Sequence, residues 1–149
     1  MNKLSKKITN FVKIPLREQL LFLEGILTNL SAKFLIKFIP LRYTVKLYGE
    51  KGKEDYSVIE TESDRKIFSM VKRSFNRVIR EVPWKTKCYD QALTYKWLLG
   101  RRGLKATIYF GVAKGKESKL NAHAWLKFNN RIINGGEVKE KYTIVNYFS

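Results

Sequence analysis

The chain has 149 residues, of which 30 are Lys or Arg and 13 are Asp or Glu, giving a formal net charge of +17. That length holds one core that buries roughly 68–70% of the unfolded surface, so cross-links are not needed to stabilise it. A single cysteine and a single histidine exclude an internal disulfide and any zinc site built from several such ligands, and fit a reducing compartment.

In chain order, Leu16, Leu20, Leu23, Leu27, Leu30, Phe34 and Phe38 are spaced three or four apart, which predicts a helical stripe packed against the rest of the protein. The apolar stretch 20 to 41 is interrupted by Glu24, Lys33 and Lys37. A central charge costs about 2.5–3.5 kcal/mol even on lenient insertion scales, so the stretch reads as two amphipathic helical pieces ending at Pro40 and not as a membrane span. The opening MNKLSKK is basic but lacks an apolar run and a small-residue cleavage site, and a cytoplasmic protein is expected. The polar stretch 49 to 57 reads as a linker between an N-terminal helical segment, 1–60, and a core, 61–149. Thr61 and Asp64 form a capping-box pattern ahead of a helix over 64–81, which buries Ile67, Phe68, Val71, Phe75, Val78 and Ile79 and stops before Pro83. A helix over 86–100 follows, ended by Gly100 and Gly103. Four short β-rich runs come next, at 105–113, 123–128, 131–135 and 142–148. Helices followed by an antiparallel sheet make an α+β fold.

The lysines and arginines are scattered along the whole chain, and no helix-turn-helix, zinc-finger or RNA-recognition pattern is present. Specific nucleic-acid binding is therefore not expected. The charge leaves an acidic peptide partner, and peripheral contact of a basic amphipathic helix with an anionic inner leaflet, as open readings.

Two singletons carry the candidate chemistry. With Thr86 as N-cap, Cys88 lies in the first turn of its helix, where unpaired N–H groups and the helix dipole favour a thiolate and can later hold an oxyanion. Lys85 and Lys87 add positive charge beside it. His123 lies in a strand. Counting back from a two-residue turn at Asn129-Asn130, position 128 pairs with 131, 126 with 133, 125 with 134 and 123 with 136. His123, Trp125 and Asn134 then share one face. An imidazole acting as a base needs a partner on its other nitrogen. Asn134 and Glu137 are both candidates for that third role, Glu137 by way of a bulge at Gly135-Gly136. Trp84 and Trp125 are candidate substrate-contacting tryptophans that would wall the site, although tryptophans mostly fill cores.

The ordered segments PWKTKCYDQALTYKWLLGRRGLKATIYFGVA, NAHAWLKFNNRIINGG and YTIVNYFS, preceded by REQLLFLEGILTNLSAKFLIKFIPLR, resemble the transglutaminase-like cysteine peptidases of lasso-peptide biosynthesis. The resemblance covers nearly the whole chain. It implies a transglutaminase-like, papain-like core with the nucleophile helix packed on the antiparallel sheet, Cys88 as nucleophile, His123 as general base and acid, and no metal or other cofactor. It also implies removal of the leader from a ribosomally made precursor peptide, before an ATP-dependent synthetase closes the macrolactam ring. Members carry an aspartate about a dozen residues after the histidine, whereas this window reads Asn134-Gly135-Gly136-Glu137 and leaves the third role open. No winged, strand-rich leader-recognition domain is legible in residues 1 to 60, so the stand-alone form is expected, with a separate recognition protein presenting the leader. Competing readings are a transglutaminase-like acyl transferase with the same site, and a basic adaptor in which Cys88 is merely packed.

Overall fold

The computed structural model describes residues 9–54, 61–115 and 119–149. Helix α1 spans Leu16–Phe38, α2 Leu41–Thr44, α3 Glu62–Glu81 and α4 Cys88–Gly100, with a 3-10 turn over Val45–Leu47. Strands β1 (Thr107–Lys114), β2 (Leu120–Phe128), β3 (Arg131–Asn134) and β4 (Thr143–Phe148) form an antiparallel sheet in the order β3-β2-β1-β4, with a 3-10 segment over Gly136–Lys141. The α+β architecture expected from the sequence is the one observed.

Where two helical pieces were expected, α1 is one continuous helix of 23 residues that stops two residues before Pro40. Its internal charges do not break it because neighbours take them up: Glu24 pairs with Arg101 and Arg102, and Lys33 with Asp90. By length and composition, α1 is the one helix among the described residues apolar enough to cross a membrane.

Its orientation also differs from expectation. All seven residues of the leucine–phenylalanine stripe are exposed, from 42% at Leu30 to 68% at Leu16, while the buried face is Leu21, Gly25, Thr28, Asn29 and Ala32. Small residues on this second face let α1 approach its neighbours closely. A Cβ on Gly25 would stand 2.9 Å from Val78 Cγ2 of α3. The polar pair Thr28 and Asn29 is satisfied across the contact, Thr28 by Arg101 and Asn29 by Asp90 and Thr94. Leu21 and Ala32 thereby join the core formed by the rest of the chain.

Glu24 accepts hydrogen bonds from both arginines at the end of α4. The hydrogen bonds from Arg102 hold its carboxyl below the usual carboxylate range, outweighing the opposing effect of burial. A depressed folded value means that the stabilisation is complete above the unfolded value and is lost as pH falls through the folded one. Glu24→Gln is therefore expected to cost about 0.5–1.5 kcal/mol at neutral pH. In urea titrations that difference should shrink towards zero as pH drops below roughly 4.

Helix α3 carries the predicted capping box, Asp64 N–H donating to Thr61 and Thr61 N–H to Asp64. Val71, Phe75 and Val78 are fully buried, and Ile67, Phe68 and Ile79 pack partly against them. Helix α4 adds Ala92, Leu93, Leu98 and Leu99, which meet Ile108, Ala124, Leu126 and Phe148 of the sheet. On the sheet's other face Tyr109 stacks between Trp125 and Tyr147, with ring centroids 5.7 and 5.5 Å away. The stretch expected to be a linker is in part structural. Residues 50–52 pair with the end of β4, through Glu50 and Ser149 bonding each other's backbone and Gly52 N–H donating to Tyr147 O. The Glu54 carboxylate accepts from Tyr109 Oη and Lys127 Nζ. Positions 55–57 of that stretch lie outside the described residues.

The β2–β3 hairpin turns at Asn129 and Asn130, both with positive φ (50° and 62°), as a two-residue turn of the primed type requires. Beyond two pairs its register departs from the simple count. Phe128 faces Arg131 and Lys127 faces Ile132, but a bulge then sets Leu126 opposite Asn134. Asn134 consequently lies on the face of Leu126, the one covered by α4, and not on the face of His123 and Trp125. A one-residue slip exchanges the faces of everything beyond it.

Candidate functional site

The loop from Pro83 to Lys87 delivers Cys88 as the first residue of α4. Lys87, and not Thr86, is the N-cap. The capping function falls to Asp90, only 5% exposed, whose carboxylate accepts from the Lys87 N–H at 3.1 and 3.2 Å, from Asn29 Nδ2 at 3.3 Å and from Lys33 Nζ at 3.3 Å. An acid at this point also suits the positive end of the helix dipole. Trp84 completes the clamp, its indole N–H donating to Asn29 Oδ1 at 2.9 Å. The Thr86 hydroxyl is engaged elsewhere, accepting from Gln91 Nε2 at 2.8 Å. Helix α1 therefore fixes the start of the cysteine helix through Asn29 and Lys33. Sequence reading missed this, although an aspartate two residues after Cys88 was the visible signal.

Cys88 is half-buried and free. It borders a cavity of about 760 Å³ that is also lined by His123, Tyr89, Phe110, Val112 and Val145, with Arg42, Lys51 and Lys87 among its cations and no carboxylate among the described lining residues. Tyr89 donates a hydrogen bond to Tyr48 Oη at 2.7 Å. Burial first, and this bond second, push the Tyr89 hydroxyl well above the usual tyrosine range, so it stays protonated and neutral.

His123 pairs with Gly111 across β1, and Trp125 with Tyr109. Alternation gives Ala122 and Ala124 to the α4 side and His123 and Trp125 to the other. The cavity lining nevertheless includes both Cys88, at the start of α4, and His123 of β2, whose side chain lies on the sheet face away from α4. The imidazole is tightly held. Its ring centroid lies 5.0 Å from Tyr142 and 6.0 Å from Trp125, and Nε2 stands 2.6 Å from the backbone oxygen of Gly135. A carbonyl only accepts, so Nε2 carries the proton and Nδ1 is the nitrogen left for proton transfer.

The side chains expected in the third role are engaged elsewhere. Asn134 Nδ2 donates to Gln91 Oε1 at 3.0 Å, because the bulge turned Asn134 towards α4. Glu137 is exposed, in the 3-10 segment. Neither makes the hydrogen bond to His123, which the Gly135 carbonyl makes instead. Of the two tryptophans expected to contact substrate, Trp84 belongs to the Asn29 clamp, and Trp125, 4% exposed, lies behind the imidazole and outside the cavity lining.

Gly135 is required where it stands. Its φ of +72° favours glycine, and an added Cβ would lie 2.6 Å from Ala124 O and 3.3 Å from His123 Nε2. Gly135→Ala is expected to destabilise the fold by about 1–3 kcal/mol. In nitrogen NMR it should also lose the Nε2-protonated form of His123 expected of the wild type; an unchanged tautomer would mean that the carbonyl does not hold the ring.

The model of the transglutaminase-like superfamily matches residues 35–146, from the last turn of α1 to β4. The chain belongs to that superfamily. No curated protein and no solved structure matches it significantly. Transglutaminase-like domains include cysteine peptidases and acyl transferases, and their common chemistry is a thiol attacking an acyl group. This transglutaminase-like chain has one cysteine to offer, and it opens α4. Gly135 stands twelve residues after His123.

Proposed function

We propose that this transglutaminase-like protein is a cysteine peptidase of the cytoplasm that removes the leader from a ribosomally synthesised lasso-peptide precursor. The supporting observation is that the only cysteine, at a helix start, and the only histidine, with one nitrogen already engaged, border the same open, largely apolar cavity. The Cys88 thiolate attacks the carbonyl of the last leader residue, and the oxyanion is met by N–H groups of the first turn of α4. The His123 imidazolium gives its proton to the departing amine of the core peptide, which leaves a Cys88 thioester. His123 then takes a proton from water as the water attacks, and the thioester breaks to release the leader acid and the thiolate. The Gly135 carbonyl keeps the ring in the tautomer with Nδ1 available, the role that the family's aspartate fills elsewhere.

A separate recognition protein presents the leader, and an ATP-dependent synthetase uses the freed core. The cations lining the cavity suit an acidic leader and raise the encounter rate more than the final affinity. The test is incubation with the precursor and the recognition protein, followed by mass spectrometry for a freed leader. Adding a primary amine separates the two chemistries of the superfamily: hydrolysis gives the leader acid, whereas an amide of the added amine would show an acyl transferase.

A further inference from the structure

The exposed stripe of α1 has no role in the site. Its seven large apolar side chains run from Leu16, 68% exposed, to Phe38, 61% exposed, along a helix that spans about 35 Å at 1.5 Å per residue. Contiguous apolar exposure on this scale marks an interaction surface. The charges around it select the occupant. The two acids of α1 are both turned inward, Glu18 to Arg73 at 3.0 Å and Glu24 to Arg101 and Arg102. What flanks the stripe is basic: Arg17 and Lys37, the latter with its ammonium 5.2 Å from the Phe38 ring centroid, while Lys33 turns inward to Asp90.

We propose that α1 lies along an anionic bilayer surface, with the stripe sunk between headgroups and acyl chains and the flanking cations at the phosphates. A spanning orientation is ruled out for the folded chain, because the opposite face of α1 is sealed against α3 and α4 and carries buried Thr28 and Asn29. A second copy is disfavoured by charge, since pairing two stripes would bring together two bodies of +17 each. This proposal does not depend on the peptidase chemistry.

The test uses the full chain with vesicles of equal parts phosphatidylglycerol and phosphatidylcholine, and with phosphatidylcholine alone, at physiological ionic strength. Cosedimentation with the anionic vesicles is expected, falling about tenfold or more in the triple variant Leu20→Gln, Leu23→Gln, Leu27→Gln, whose circular dichroism should match the wild type because all three positions are exposed. Three results would overturn it: no sedimentation with anionic vesicles, unchanged binding by the triple variant, or a wild-type dimer in light scattering that the triple variant abolishes.

Discussion

Cys88→Ala is expected to abolish leader release, lowering kcat/KM by at least ~10³-fold, because the covalent step has no other nucleophile to use. Unfolding free energy should stay within about 1 kcal/mol of wild type, since the side chain is half-buried and its thiol is free. The comparison that matters is between the two readouts. An adaptor whose cysteine is only packed would keep its function and resist alkylation in the folded state, whereas a thiol facing the cavity should be labelled by iodoacetamide without denaturant. Full activity in the alanine variant would remove the peptidase reading outright. The stripe of α1 would be untouched by that result.

The second large effect is expected at Asp90. Truncation to alanine leaves the Lys87 N–H without its acceptor, and takes one acceptor each from the Asn29 amide and the Lys33 ammonium, which keep only Thr94 and the Lys85 carbonyl, at a site only 5% exposed. Buried groups orphaned in this way cost far more than the net worth of the bonds lost, and about 2–4 kcal/mol is expected for Asp90→Ala. For a chain of this size each kcal/mol moves Tm by roughly 2–4 °C, so calorimetry should show a fall of about 5–15 °C. Asp90→Asn keeps an acceptor for the backbone and for Asn29 and should cost markedly less. Because the clamp joins α1 to the start of the cysteine helix, Asp90→Ala should also lower activity at temperatures where the protein remains folded. A loss of stability under 1 kcal/mol would mean that α1 is held by its apolar contacts alone.

What could be read without coordinates follows a physical line between local and non-local information. The capping box at Thr61 and Asp64, the buried face of α3, the Asn129-Asn130 turn and the α+β order were legible because each depends on residues a few positions apart. The two singletons, Cys88 at a helix start and His123 in a strand, were legible for the same reason. The face that α1 buries was not. Periodicity shows that a helix has two faces, and hydrophobicity alone chose the wrong one. The small and polar face went inward because Gly25 and Ala32 permit a close approach and because partners for Thr28 and Asn29 arrive from α4, more than 60 residues away. The third partner of His123 was hidden for a related reason. A bulge at Leu126 and Lys127, which no residue pattern announces, slips the register and sends Asn134 to the far face of the sheet. What remains beside the imidazole is a main-chain carbonyl, a group that every residue carries and no sequence displays. The sequence by itself determined the elements and where in them Cys88 and His123 stand; the tertiary structure decided which faces meet and which backbone atom bonds the imidazole.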